Sequence, residues 1–132
     1  MKYMLDTNIV IFAQKGNPNV LSHIREKYQE GLCISAITLG ELEYGVYNSQ
    51  NVEKNLIALE NMLSLVDVLP FDDYAAIEYG KIYAGLKKKG TVIGTMDALI
   101  AAHARSLKLI VATNNEKEFC RVENLKIEDW LK

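Results

Sequence analysis

Short apolar runs separated by longer stretches of helical periodicity set the pattern of this chain. The runs Tyr3-Met4-Leu5, Leu32-Cys33-Ile34, Val66-Asp67-Val68-Leu69, Leu109-Ile110-Val111 and a weaker Lys126-Ile127 have the length of strands. Most are apolar on successive positions rather than on alternate ones, as strands buried on both faces of a parallel sheet are. Between them, Asn17 is a good cap and Pro18 suits a first helical turn, which predicts a helix from there towards Tyr28. Thr38 and Glu41 have capping-box spacing, and Ser35 is an equally good start for the same helix. Val52, Leu56, Leu59, Leu63 and Val66 recur at helical intervals and predict an amphipathic helix over Asn51 to Leu65. Ala75, Ala76, Tyr79, Ile82, Tyr83 and Leu86 repeat the pattern until Gly90 stops it. Thr95 is placed to cap a last long helix through Ala98, Ala101, Ala102 and Ala104, small residues that allow close packing on a sheet. Strands alternating with helices indicate an α/β fold, a parallel-stranded central sheet sandwiched between helices. With no repeat, low-complexity tract or Pro/Gly/Ser-rich linker, residues 1–132 read as a single domain.

Acidic residues sit at notable places on this frame. Asp6 follows the first strand, where ligands enter open α/β sheets. Glu41 shares a helix face with Thr38 and Gly45, which points it inward while Glu43 turns to solvent. Asp97 falls in the first turn of its helix, where the dipole favours the ionised form. Taken singly, each acid reads equally well as a cap or a solvated charge. Taken together, three carboxylates from distant segments suit a hard cation such as Mg²⁺ or Mn²⁺, which takes oxygen ligands and water.

Composition narrows the field. A formal charge of −2 argues against a protein that holds nucleic acid through a generalised basic field. Cys33 and Cys120 lack close Cys or His partners of zinc-site spacing and read as buried or inert thiols. No secretory or long apolar segment is present, so a cytoplasmic, membrane-free protein is expected. His23 and His103 are the only histidines; His103, about 120° around its helix from Asp97, reads as packed or surface. No Gly-Lys-Ser/Thr phosphate loop occurs, and Gly90 and Gly94 instead shape the loop that presents Asp97. Lys87-Lys88-Lys89 reads as a cationic helix end, with an RNA backbone contact as the alternative.

Several segments carry a resemblance: Met4-Leu5-Asp6-Thr7-Asn8-Ile9, Ile34-Ser35-Ala36-Ile37-Thr38-Leu39-Gly40-Glu41-Leu42 with Tyr44-Gly45, Ile93 through Ser106, Thr113-Asn114-Asn115 with Glu118-Phe119, and Glu128-Asp129-Trp130. Together they span the whole chain, which resembles the PIN-domain toxins of bacterial type II toxin-antitoxin systems, the VapC family. The resemblance implies a Mg²⁺-dependent endoribonuclease, with Mn²⁺ able to substitute, held inactive by a cognate VapB-type antitoxin and homodimeric within that complex. It puts Asp6, Glu41 and Asp97 on the acidic catalytic and metal positions. Thr7 and Ser35 match hydroxyl positions that support the site, and Asn8 is expected to orient Asp6. The fourth acidic position, often Asp, is Asn115 here, with Glu118 as a possible substitute. Members sharing the Ile100–Ser106 and Thr113–Phe119 runs cut initiator tRNA in the anticodon stem-loop, which makes tRNA the expected substrate and translation the expected target.

Two other readings stand beside this one. A catalytically silent RNA-binding or scaffold module is kept open by Asn115. A phosphatase using Asp6 as nucleophile is disfavoured because the second acid wanted two residues on is Asn8.

Overall fold

The computed structural model describes residues 1–132. Its centre is a five-stranded sheet formed by β1 (Tyr3–Leu5), β2 (Leu32–Ser35), β3 (Asp67–Leu69), β4 (Ile110–Thr113) and β5 (Lys126–Asp129), in the order β3-β2-β1-β4-β5 with every pairing parallel. Seven helices connect the strands: α1 (Thr7–Gln14), α2 (Pro18–Lys27), α3 (Ala36–Tyr47), α4 (Val52–Leu63), α5 (Asp73–Lys89), α6 (Thr95–Ser106) and α7 (Glu116–Phe119), with a 3₁₀ turn at Tyr28–Glu30.

Alternation along the strands makes two cores. Tyr3, Leu5, Leu32, Ile34 and Ala112 point to one face, where α1 to α4 cover them with Ile9, Val20, Leu42 and Leu59. Met4, Cys33 and Val111 point to the other, against Ile82, Leu86, Ile100 and Phe119 from α5, α6 and α7. Both faces of β1 are therefore buried, which is why its sequence is apolar without a break. The sequence-predicted α/β sandwich is the observed architecture.

Local details adjust several expectations. Ser35, not the Thr38–Glu41 pair, starts α3, its Oγ accepting the Ile37 N–H at 3.1 Å. Gly94 occupies the N-cap of α6, and Thr95, predicted as the cap, is the first helical residue with no capping bond. β4 begins one residue after Leu109, because the Leu109 N–H turns back to the Ala104 carbonyl at 2.9 Å and closes α6 through a left-handed Lys108. The same strand runs on to Thr113, beyond the apolar run, since Leu5 pairs with Ala112 and Thr113 with Asp129. Gly90 ends α5 in the left-handed conformation at φ 70°. Lys87, Lys88 and Lys89 are exposed in that last turn, where Lys89 pairs with Glu123. Ile11 and Phe12 are half-buried and pack on the first core. Cys33 is buried as expected, whereas Cys120 is exposed, since it follows the last turn of α7 on its outer side.

Candidate active site

The chain lays β1, β2 and β3 outward in one direction, then returns to put β4 on the other side of β1. The carboxyl ends of β1 and β4 thus flank the point where strand order reverses, the usual ligand crevice of an open parallel sheet. Asp6 stands there. Its extended backbone ends β1 and caps α1, with Oδ1 accepting the Ile9 N–H at 3.0 Å and Oδ2 accepting the Thr113 hydroxyl at 2.5 Å. The residue is only 3% exposed. Burial pushes its carboxyl up to about 6, against the pull of the Thr113 and Ile9 hydrogen bonds and with help from the negative charges of Glu41 and Asp129.

Asp97 approaches from the first turn of α6 and is half-buried. Its carboxyl is also pushed up to about 6, first by burial, then by a side-chain contact with Glu118 and by the charges of Asp6 and Glu118; Asn115 pulls the other way. The Asn115 amide donates to Glu118 Oε2 at 2.8 Å and reaches Asp97 Oδ2 at 3.4 Å, so it bridges the two acids. Its own N–H is held by Thr113 Oγ1 at 2.8 Å.

Glu41 lies on α3 with its Oε1 accepting the Thr7 hydroxyl at 2.5 Å, and Thr7 Oγ1 is 3.3 Å from Thr38 Oγ1. Thr7, Asn8 and Glu41 form one wall of an open groove of about 650 Å³ whose apolar lining includes Ile37, Tyr44 and Met96.

The sequence-predicted residues thus divide. Asp6, Asp97, Asn115 and Glu118 are joined by direct contacts or by mutual charge, and Glu41 adds its charge to Asp6 while bonding to Thr7. Asn8 makes no hydrogen bond to Asp6: it is exposed and lines the groove beside Thr7 and Glu41, and the Thr113 hydroxyl and Ile9 N–H hold the Asp6 carboxylate. Ser35 is buried one layer back, where its Oγ meets His103 Nδ1 at 2.8 Å. His103 is 1% exposed and its pKa is lowered by burial, opposed by the charge of Asp72, so the packed reading holds. Thr113, Thr38 and His103 were not singled out as site residues. A hydroxyl at the tip of the strand beside β1 was the available signal for Thr113, but it gains meaning only once strand order is known.

The family model of the PIN domain matches residues 3–125. Over 133 aligned residues the chain is 47% identical to the Shigella flexneri protein named tRNA(fMet)-specific endonuclease VapC, and the match covers 98% of each. The chain belongs to the VapC family of PIN domains. It is also 43% identical, over 99% of each chain, to the Haemophilus influenzae protein named ribonuclease VapC2. In three dimensions this PIN domain superposes with a TM-score of 0.94 on a chain of VapBC2 from Rickettsia felis, solved bound to a promoter DNA fragment, at 37% identity over 98% of this chain and 99% of that one. A chain of DNA-bound VapBC from Salmonella typhimurium superposes at 0.90 with 47% identity, covering 98% of each.

PIN nucleases in general depend on divalent metal, and the donor set of this VapC-family domain fits such an ion. It consists of carboxylates, with no thiol or imidazole among them. Asp6 and Asp97 are both destabilised as anions by burial and by like charge, the condition that a cation reverses. No three Asp, Glu, His or Cys side chains close around a single point.

Proposed function

We infer that this VapC-family PIN domain is a Mg²⁺-dependent endoribonuclease toxin that hydrolyses a phosphodiester in tRNA. Mn²⁺ can replace Mg²⁺, and the target that fits best is initiator tRNA, named in the Shigella flexneri relative as tRNA(fMet). The observation that carries this reading is the pair of carboxyls, Asp6 buried and Asp97 half-buried, raised to about 6 at the sheet's switch point and placed on separate elements.

In this reading Asp6 and Asp97 hold the ion, with Glu41 close by and Asn115 and Glu118 completing the acidic side. A divalent ion bound there supplies positive charge to the scissile phosphate and makes water a usable nucleophile at neutral pH. The chain's own contribution is rigidity. Asp6 cannot swing, because both its oxygens are held, one by a helix N-terminus and one by Thr113. Glu41 is fixed in direction by Thr7, and Asn115 keeps Asp97 and Glu118 together without adding a negative charge. Hydrolysis of this type leaves 5′-phosphate and 3′-hydroxyl ends.

The partner is a VapB-type antitoxin, as in the VapBC complexes this chain resembles. The open groove beside Glu41, apolar along Ile37, Tyr44 and Met96 and acidic at its end, suits an antitoxin segment with a cationic side chain near the acids. A homodimer within that complex follows the family pattern. No helix is long and apolar enough to cross a membrane, and we place the activity in the cytoplasm, where tRNA is found.

One observation favours a second reading, a silent RNA-binding module: Asn115 puts an amide where a further carboxylate would stand. Purified protein incubated with total RNA, with Mg²⁺ or with EDTA and beside an Asp6→Asn control, separates the two. Cleavage that needs both Mg²⁺ and Asp6 supports the nuclease; RNA binding without cleavage under every condition supports the silent module.

A further inference from the structure

Two arcs of polar contacts border the acidic site. On one side Asp6 on β1 meets Thr113 on β4, Thr113 holds Asn115, and Asn115 reaches Asp97 on α6. On the other, Thr7 at the start of α1 meets Thr38 and Glu41 on α3. These two arcs are joined at Asp6-Thr7 by the chain itself. Apart from these arcs, one side-chain hydrogen bond joins the cap of α3 to α6: His103 Nδ1 to Ser35 Oγ, 2.8 Å, both residues fully buried and 68 positions apart.

The spacing gives this bond leverage. Ser35 is the N-cap of α3, six residues before Glu41, and His103 is six residues after Asp97 on α6. Six residues of helix are about 9 Å, so each carboxylate rides on a rigid arm fixed at the shared bond. Ser35 Oγ also accepts the Ile37 N–H, so the contact touches the residue that sets where α3 begins. Phe71 packs edge-on against the His103 ring at 5.4 Å and limits its alternatives.

We propose that His103 is a positioning residue of the nuclease site: by clamping the cap of α3 to α6 it fixes Glu41 relative to Asp97. It touches neither substrate nor ion. This rests on the nuclease reading for its effect on rate, though not for its effect on cation binding. A displacement of about 1 Å at the reacting groups, caused by a change away from them, costs about 100-fold in rate.

The test uses two substitutions in the full chain. His103→Leu keeps bulk and loses the hydrogen bond, whereas His103→Asn is smaller and keeps a polar atom near the position of Nδ1. Mn²⁺ affinity by titration calorimetry and RNA cleavage as separate kcat and KM are measured, with thermal unfolding alongside. The expected result is that Leu weakens Mn²⁺ binding and lowers kcat by about 10-fold or more with KM little changed, and that Asn restores much of both. Ser35→Ala removes the same bond together with the cap on Ile37, so it should show the Leu losses in Mn²⁺ affinity and kcat with a further loss of Tm. Wild-type Mn²⁺ affinity and kcat in His103→Leu would overturn the proposal, as would losses in Leu and Asn that simply track their losses of Tm, which would make His103 a packing residue alone. Should the wild-type chain bind Mn²⁺ but cut no RNA, the nuclease reading fails while the calorimetric arm still decides the role of His103.

Discussion

Thr113 donates a 2.5 Å hydrogen bond to Asp6, tying the tips of β4 and β1 together across the switch point of the sheet. The same hydroxyl oxygen accepts the Asn115 N–H at 2.8 Å, so one small side chain orients residues on both sides of the acidic crevice. Replacing it with Val keeps shape and removes both bonds. We expect Thr113→Val to lose about 1 to 3 kcal/mol of stability in urea unfolding, the cost of leaving buried polar groups unpaired, and to weaken Mg²⁺ dependence of cleavage. Thr113→Ser should behave nearly as wild type; a damaging Ser beside a harmless Val would mean that the methyl group, not the hydroxyl, matters.

Asp6→Asn retains a capping oxygen for α1 and removes a buried charge. The folded carboxyl sits at about 6 against an ordinary 3.8, so at neutral pH its ionisation opposes folding by up to about 3 kcal/mol. The metal-free Asn variant should therefore unfold at higher urea than the metal-free parent while cutting no RNA. A clear drop in urea midpoint would show that the charge is stabilising in place.

The pH dependence has a definite sign. Asp6 and Asp97 have folded pKa values raised to about 6, so the native state holds protons that the unfolded chain has already released. Stability of the metal-free protein should then fall as pH rises from about 4 to about 6. Cation binding needs the ionised forms and should strengthen over the upper part of the same range. Melting curves at pH 5 and pH 7.5, each with and without Mg²⁺, should show a larger Mg²⁺-induced rise in Tm at the higher pH. A rise independent of pH would remove these carboxyls from the ion's site.

Asn115→Asp tests the departure from the family pattern. The amide now bridges Asp97 and Glu118, donating to both. A carboxylate there would add like charge, lowering Tm without metal, and would add a hard ligand, raising Mg²⁺ or Mn²⁺ affinity. Calorimetric titration of both proteins with Mn²⁺ checks this, and weaker binding by the Asp variant would mean that the amide is the better partner at this position.

The architecture could be read from the chain because burial leaves a strong imprint. Unbroken apolar runs such as Tyr3-Met4-Leu5 mark strands covered on both faces, and Asn17-Pro18 and Gly90 mark helix ends by backbone chemistry alone. The boundaries that escaped depended on interactions across the fold. Ala112 and Thr113 become strand only by pairing with β1 and β5, and Leu109 is withdrawn from β4 by the turn that closes α6. At the site, Asp6 and Asp97 were visible from their places beside strand and helix ends, and Asp97 is indeed affected by the charge of Asp6. The partners of Asp6 were not visible, because Thr113 lies 107 residues away and meets it only through strand order. Asn8 makes no hydrogen bond to Asp6 for the converse reason: neighbours in sequence diverge once a helix begins at Thr7.

The most direct measurement is the chemistry of the cut ends. Purified protein with Mg²⁺ and initiator tRNA should yield fragments with 5′-phosphate and 3′-hydroxyl termini, absent with EDTA and absent from Asp6→Asn. Fragments bearing a 2′,3′-cyclic phosphate, formed equally in EDTA, would contradict the account, because the ribose hydroxyl would then be the nucleophile and the carboxyls at the β1–β4 crevice would hold no catalytic ion.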